Sequence, residues 1–351
     1  MPHPLSQALD QTWSPFVLVA GLLLIGAVAA SDHLFEAAGA LLSRTPGGGV
    51  RLFVALMSLV VVVTVILNLD TSVVFLTPIV LHAARRRRFG ETAFLFGVVY
   101  LSNAASLLLP GSNLTNLLVA RGVGAVSFAA GTAPAWAAAV VVVTAGVLVW
   151  RRRDLRRPSA APEPATPVVL PRWGAGAVGV VGAIALVLAI PDPALPVLVL
   201  GVAVAAVQVL TRRLAPGGAA EAASPAILGT LFALSVALGV VARTWSGPQH
   251  LTASLGPVAT AWLAAGLSCV INNLPAAVLL SARGGAHTRA LLVGLDLGPN
   301  LAVTGSLAAL VWLRVARREG ARPSVRTYTA VGLVLVPVSM TAALAALGLF
   351  G

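Results

Sequence analysis

Residues 52–81 read LFVALMSLVVVVTVILNLDTSVVFLTPIVL, and the run Arg85–Arg88 follows closely. One membrane-spanning helix takes about 20 apolar residues, so this stretch is too long for a simple span. Its middle carries Asn68, Asp70, Thr71 and Ser72. Irregular backbone at membrane depth survives only inside protein or beside a wet cavity, and an acid there is a functional candidate. A helical hairpin that enters and leaves on one side, its polar tip near mid-membrane, satisfies both length and polarity.

The rest of the chain has the same character. Of its 351 residues 58% are hydrophobic and 10% charged, against roughly 25% charged in soluble domains, and mean hydropathy is +0.95. No soluble core hides this much apolar surface, whereas lipid accepts it. The net charge is +12 and no lysine occurs. The arginines stand in short runs between apolar segments, as topology signals do, so nucleic acid is not the partner and the lipid bilayer is. One cysteine, Cys269, allows no internal disulfide and no Cys-rich metal site. No cofactor is called for. The N-terminal MPHPLSQALDQTW lacks the basic start of a cleavable signal peptide.

Apolar stretches at about 16–30, 52–81, 92–119 and 134–150 precede an Arg/Pro/Ala-rich segment, 151–172, that reads as a cytoplasmic linker. Stretches at 173–190, 195–210, 225–241, 253–280, 290–315 and 328–350 follow. The stretch 92–119 is interrupted around Pro110–Asn116, 253–280 at Asn272, Asn273 and Pro275, and 290–315 around Asp296–Ser306. Placing the runs 85–88, 151–157, 212–213 and 314–326 in the cytoplasm requires 52–81 to return to the inside and 253–280 to the outside, with both chain ends outside. The order hairpin, broken helix, spanning helix then occurs twice with opposite orientation, an inverted repeat of the kind found in secondary transporters. The expected fold is therefore all-α and integral to the plasma (inner) membrane, with two re-entrant hairpins and two broken helices. Residues 1–150 hold the first repeat and 173–351 the second. The second has three helices before its hairpin and the first has one, so the N-terminal half reads as shortened.

Four motifs carry a resemblance: NLDTSVVFLTPIVL (68–81), SNAASLLLPGSNLTNLL (102–118), CVINNLPAAVLL (269–280) and GLDLGPNLAVTGSLAALVWLRVARREG (294–320). Together they resemble the arsenite permease family, the arsenical pump membrane proteins, within the ion transporter superfamily. That superfamily also holds sodium-coupled dicarboxylate and citrate carriers and some sodium/proton antiporters. The resemblance implies a carrier that exports arsenite, and antimonite, using the proton gradient. It also implies that a soluble ATPase serves as partner in some members and that homodimers form through the scaffold.

Asp70 and Asp296 are the deep acids, hence the candidate proton carriers; the plainer roles are a helix cap for Asp70 and an arginine partner near the interface for Asp296. Asn68, Thr71, Ser112, Asn113, Thr115, Asn116, Asn272, Asn273, Asn300, Thr304 and Ser306 fall in the four interruptions. They are candidates to bind a small inorganic or anionic substrate and its ion, with interhelical hydrogen bonding as the plain alternative. Broken helices expose N–H groups on one half and C=O groups on the other, so the four breaks are expected to meet in one central site. Gly111, Gly298 and Gly305 are expected to permit unwound backbone. Cys269 reads as a small buried hydrophobe rather than an arsenic ligand, and His82 and His287 as interfacial.

Catalytic signatures such as HExxH or GxSxG are missing, and no P-loop occurs, so a transporter is expected and not an enzyme. A sodium-coupled carboxylate carrier and a sodium/proton antiporter remain open as alternatives; no arginine lies deep in an apolar stretch to pair with a carboxylate.

Overall fold

The computed structural model describes residues 3–44, 46–156, 174–190, 192–223, 225–283 and 287–349. Among them every regular element is helical and no strand occurs, as expected where backbone groups must be satisfied without water. Six helical stretches are long and apolar enough to cross a membrane. Of the segment 151–172, read as linker, residues 157–172 lie outside the described residues.

Helix α1 (Pro4–Ser31) runs through the protein and carries Pro15 inside it. The segment after it forms helix α2 (Leu34–Ser43). Its buried Phe35, Gly39 and Ser43 recur every four residues, one helical face, and Phe35 stacks on Phe75 at 5.6 Å.

Helices α3 (Gly49–Ile66) and α4 (Leu69–Arg86) are separated by Leu67 and an extended Asn68. The chain reverses here. The Arg87 guanidinium, just past α4, donates to Ser43 O at 2.5 Å and Gly47 O at 2.8 Å, just before α3. Helix α5 (Glu91–Ala105) continues through two 3₁₀ turns, 106–108 and 110–112, into the short α6 (Leu114–Val119). Helix α7 (Ala125–Trp150) follows.

Helices α8 (Ala175–Ala189), α9 (Ala194–Leu210), α10 (Pro216–Ala223), α11 (Pro225–Thr244) and α12 (Gly247–Ser254) come next. Of these, α8, α9, α10 and α11 pack against α1. Helices α13 (Pro257–Ile271) and α14 (Asn273–Ser281) are divided at Asn272. Here too the chain turns back: Arg283 Nη1, just beyond α14, donates to Gln249 Oε1 on α12 at 3.3 Å. Helix α15 (Thr288–Leu297) passes through 3₁₀ turns at 298–301 and 303–305 into α16 (Leu307–Arg318), and α17 (Val325–Ala346) ends the bundle.

The packing around the two broken helices corresponds element by element. Helix α3 touches the turns 106–112, and α13 touches the turns 298–305. Helix α6 packs on α14, and α16 packs on α4. Helices α7 and α17 lie side by side, each also against its own broken helix.

Candidate functional site

Each of the four helices that start inside the protein is capped by a side chain from the interruptions. Asn68 Oδ1 accepts from Thr71 N at 2.7 Å, and Asn113 Oδ1 from Thr115 N at 3.2 Å. Asn272 Oδ1 accepts from Leu274 N at 3.3 Å, and Ser306 Oγ from Ala309 N at 3.2 Å. A helix N-terminus leaves N–H groups without intrahelical partners, and these residue types supply the oxygen. Asn68, not Asp70, is therefore the cap of α4; Asp70 lies two residues further on.

The starts of three of the four helices, at Asp70 and Thr71, Leu114 and Leu307, border one cavity, while the polar side chains of the breaks pair with one another. They join as a string. Ser112 Oγ donates to Val65 O at 3.0 Å, tying the first break to the first hairpin. Asn113 Nδ2 and Thr115 Oγ1 donate to Asp296 Oδ1 at 2.8 and 3.2 Å, tying first break to second, and the Asn116 side chain lies against the same carboxyl. Asn272 Nδ2 donates to Thr304 O at 3.2 Å and Thr304 Oγ1 to Cys269 O at 3.1 Å, tying the second break to the second hairpin. The reason is that every buried N–H and C=O needs a partner. Neighbouring breaks meet that need pairwise, which consumes most of the polar side chains. Asn116 shows it: its Nδ2 serves Ser106 O at 2.8 Å and Leu109 O at 3.3 Å.

The buried side-chain atoms without a hydrogen-bond partner among the described residues include five at or beside the breaks: Asp296 Oδ2, Asn116 Oδ1, Asn103 Oδ1, Asn68 Nδ2 and Thr71 Oγ1. Asp296 is fully buried, with one oxygen held twice and the other bare. Asn273 is buried and makes no side-chain hydrogen bond among the described residues.

Asp70 stands elsewhere. With Thr71 it lines a cavity of about 430 Å³, whose wall includes Leu114 and Leu307, the first residues of α6 and α16, and whose far end carries Glu221, Arg314 and Arg318. Arg314 and Arg318 are exposed. The Asp70 carboxyl makes no hydrogen bond among the described residues. The two acids thus occupy different surroundings, one fully buried and one facing a cavity.

Asn300 sits in a network that the sequence reading missed. Asn103 Nδ2 donates to Asn300 Oδ1 at 2.8 Å, and Asn300 Nδ2 donates to Tyr100 O at 3.1 Å. Tyr328 OH donates to Pro299 O at 3.2 Å, and Tyr100 OH to Tyr328 O at 2.5 Å. The two rings lie 4.9 Å apart, tilted by 31°. One signal was available: these are the chain's two tyrosines, each in an apolar stretch. The glycines also act differently from expectation. None of Gly111, Gly298 and Gly305 has positive φ; in the breaks that backbone belongs to Asn272, at φ +76°. Gly298 and Gly305 permit close approach instead, since an added Cβ would lie 2.4 Å from Ala265 Cα and 2.7 Å from Pro299 Cα. Cys269 is half-buried, its Sγ 3.6 Å from Gly298 O, and His82 pairs with Glu319 at 3.4 Å. Among the described residues no group of three His, Cys, Asp or Glu could hold a metal.

A helical bundle with apolar spans, polar helix breaks in its interior and a cavity beside them defines a multi-pass membrane transporter. Residues 5–286 match the family model described as citrate transporter, and residues 238–350 the one described as arsenical pump membrane protein. The chain belongs to the citrate transporter family, and its last third carries the arsenical pump signature as well. Both are families of transporters, not enzymes. Curated relatives include the arsenical pump membrane proteins of Yersinia enterocolitica and of Escherichia coli K12. Each is 27% identical, covering 96% of this chain and 86% of the relative. An uncharacterized transporter of Mycobacterium tuberculosis is 27% identical over 94% of this chain and 84% of its own. Among solved structures, the YdaH transporter of Alcanivorax borkumensis, described as having an unusual topology, superposes with a TM-score of 0.60. That match covers 98% of this chain and 86% of the other at 16% identity, a likeness of fold.

Proposed function

We propose that this transporter exports arsenite, and antimonite, from the cytoplasm in exchange for protons, with Asp70 and Asp296 as the proton-carrying groups. The observation that carries the reading is the Asp296 carboxyl: Oδ1 takes two hydrogen bonds, while Oδ2 is buried with no partner among the described residues. Such an oxygen is built to receive a proton, because a buried charge without a partner is costly. The relatives' names supply the substrate. Arsenous acid is a small neutral trihydroxide, and the Asp70 cavity offers it an acceptor carboxyl beside Thr71. The corresponding packing around the two breaks supports an inverted repeat, residues 1–150 and 173–351 joined by 151–172, with re-entrant hairpins. Arsenite uptake into inverted membrane vesicles, with and without a proton gradient, tests the reading. Gradient-dependent accumulation that Asp70→Asn and Asp296→Asn abolish is the expected result. No accumulation with normal amounts of protein in the membrane refutes it.

A second reading, a cation-coupled carboxylate carrier, draws on Arg314 and Arg318. No arginine is deep in the sequence, yet folding sets these two at the cavity that holds Asp70, and guanidinium is the natural partner of carboxylate. Sodium-driven citrate uptake by the same vesicles would favour it.

A further inference from the structure

The Asp70 cavity runs from the helix starts to the arginine-bearing end of α16, the cytoplasmic side by the charge rule. In the other direction it is sealed. Phe16, Val19, Leu114, Leu118, Leu274 and Val278 form a closed apolar cluster joining α1 to α6 and α14. Phe16 meets Phe232 of α11 edge-on at 5.5 Å. Beyond this plug lies a polar hub. Gln11, 1% exposed, donates through Nε2 to Leu118 O at the end of α6 and to Ser281 Oγ at the end of α14, both at 3.3 Å. Its Oε1 accepts from Arg243 Nη2 of α11 at 2.6 Å. One amide thus ties α1 and α11 to the outer ends of the two elements that also border the breaks.

We propose that Gln11 is the latch of an outer gate, a positioning residue for transport. With α1 and α11 on one side and α6 and α14 on the other, the hub holds the outer half shut while the cavity faces the cytoplasm. Opening outward separates Gln11 Nε2 from Leu118 O and Ser281 Oγ, together with the rim bonds from Arg121 Nη2 to Asp10 O and from Arg283 Nη2 to Arg243 O, and parts the apolar plug beneath. The Gln11–Arg243 bond stays within the α1–α11 side throughout. The donor bonds are long and go to neutral acceptors, so they are weak enough to break in each cycle.

The latch belongs to the alternating-access cycle proposed above, but its test reads accessibility without any substrate, so the two readings fail separately. In a Cys269→Ser background, Val278→Cys reports the plug, where Val278 is 0% exposed, and Val74→Cys reports the cavity. Membrane-impermeant maleimide is added to right-side-out vesicles for the first and to inverted vesicles for the second. Gln11→Leu is expected to speed outer labelling at Val278→Cys by about tenfold, the effect of losing one hydrogen bond's worth of bias, and to slow inner labelling at Val74→Cys. Gln11→Asn, which keeps the amide but shortens its reach, is expected to fall between. Should Gln11→Leu fail to reach the membrane, Ser281→Ala makes the same test from the far side of the gate. Unchanged rates at both positions, or a rise at both, would overturn the latch, the latter marking general loosening.

Discussion

Asp296 is the position where replacing one atom separates structure from function. In Asp296→Asn the side chain keeps its shape, and the amide oxygen can keep both bonds from Asn113 Nδ2 and Thr115 Oγ1. The amide nitrogen then stands where the unpaired Oδ2 was. The expected stability change is small, about 1 kcal/mol or less. Asp296→Leu leaves the buried Thr115 Oγ1 without an acceptor and Asn113 Nδ2 with only its 3.4 Å contact to Ser106 Oγ, at about 1–3 kcal/mol for each bond lost, so about 2–6 kcal/mol together. That is a large share of a total stability of about 5–15 kcal/mol. Thermal unfolding of the detergent-solubilised variants measures this side, and gradient-driven arsenite accumulation measures the other. The asparagine variant should fold as the parent does and accumulate nothing, while the leucine variant should be depleted from the membrane. A fully active Asp296→Asn refutes the proton-carrying role. An Asp296→Leu as stable as Asp296→Asn refutes the hydrogen-bond account of the site.

Asp70→Asn is expected to abolish accumulation while changing stability by no more than about 1 kcal/mol, the size of its interaction with the α4 N-terminus, as read by melting and transport together. Gly298→Ala places a methyl 2.4 Å from the Ala265 backbone and should destabilise by about 1–3 kcal/mol. Gly266→Ala in α13, where nothing lies within 4 Å, should be neutral or stabilise by up to about 1 kcal/mol; the two melts side by side decide whether close approach is the glycine's role. Tyr100→Phe removes the 2.5 Å bond to Tyr328 O and should cost about 1 kcal/mol without changing which substrate is carried. Arg314→Gln with Arg318→Gln should lower uptake of an anionic substrate and leave that of neutral arsenite unchanged, which competition by citrate in the same vesicles would reveal.

Much of the fold is legible in the linear chain because lipid imposes it. Apolar runs of set length must be helical there, and arginine runs mark one side. The interruptions are legible for the same reason, since Asn68, Asn113, Asn272 and Ser306 stand out against Leu and Val. Helix α2 was hidden by its short length and by the polar residues at its start, although Phe35, Gly39 and Ser43 keep a helical spacing. The role of Gly298 was hidden because sequence shows that a glycine is small but not what comes near it.

What the sequence by itself determined is the set of places where helices stop and which polar side chains wait there, because a residue's cost in lipid is a local property. Which of those side chains pair, and with what, only the tertiary structure decided. Asp70 and Asp296 look alike in sequence, an acid among apolar residues. Folding gives Asp296 two donors from a break 181 and 183 residues away and gives Asp70 a cavity edged by arginines. Gln11 is an ordinary polar residue until α6, α11 and α14 close around it. A hydrogen bond depends on two groups being brought within about 3 Å, and for residues more than a hundred positions apart the packing of the helices alone sets that distance.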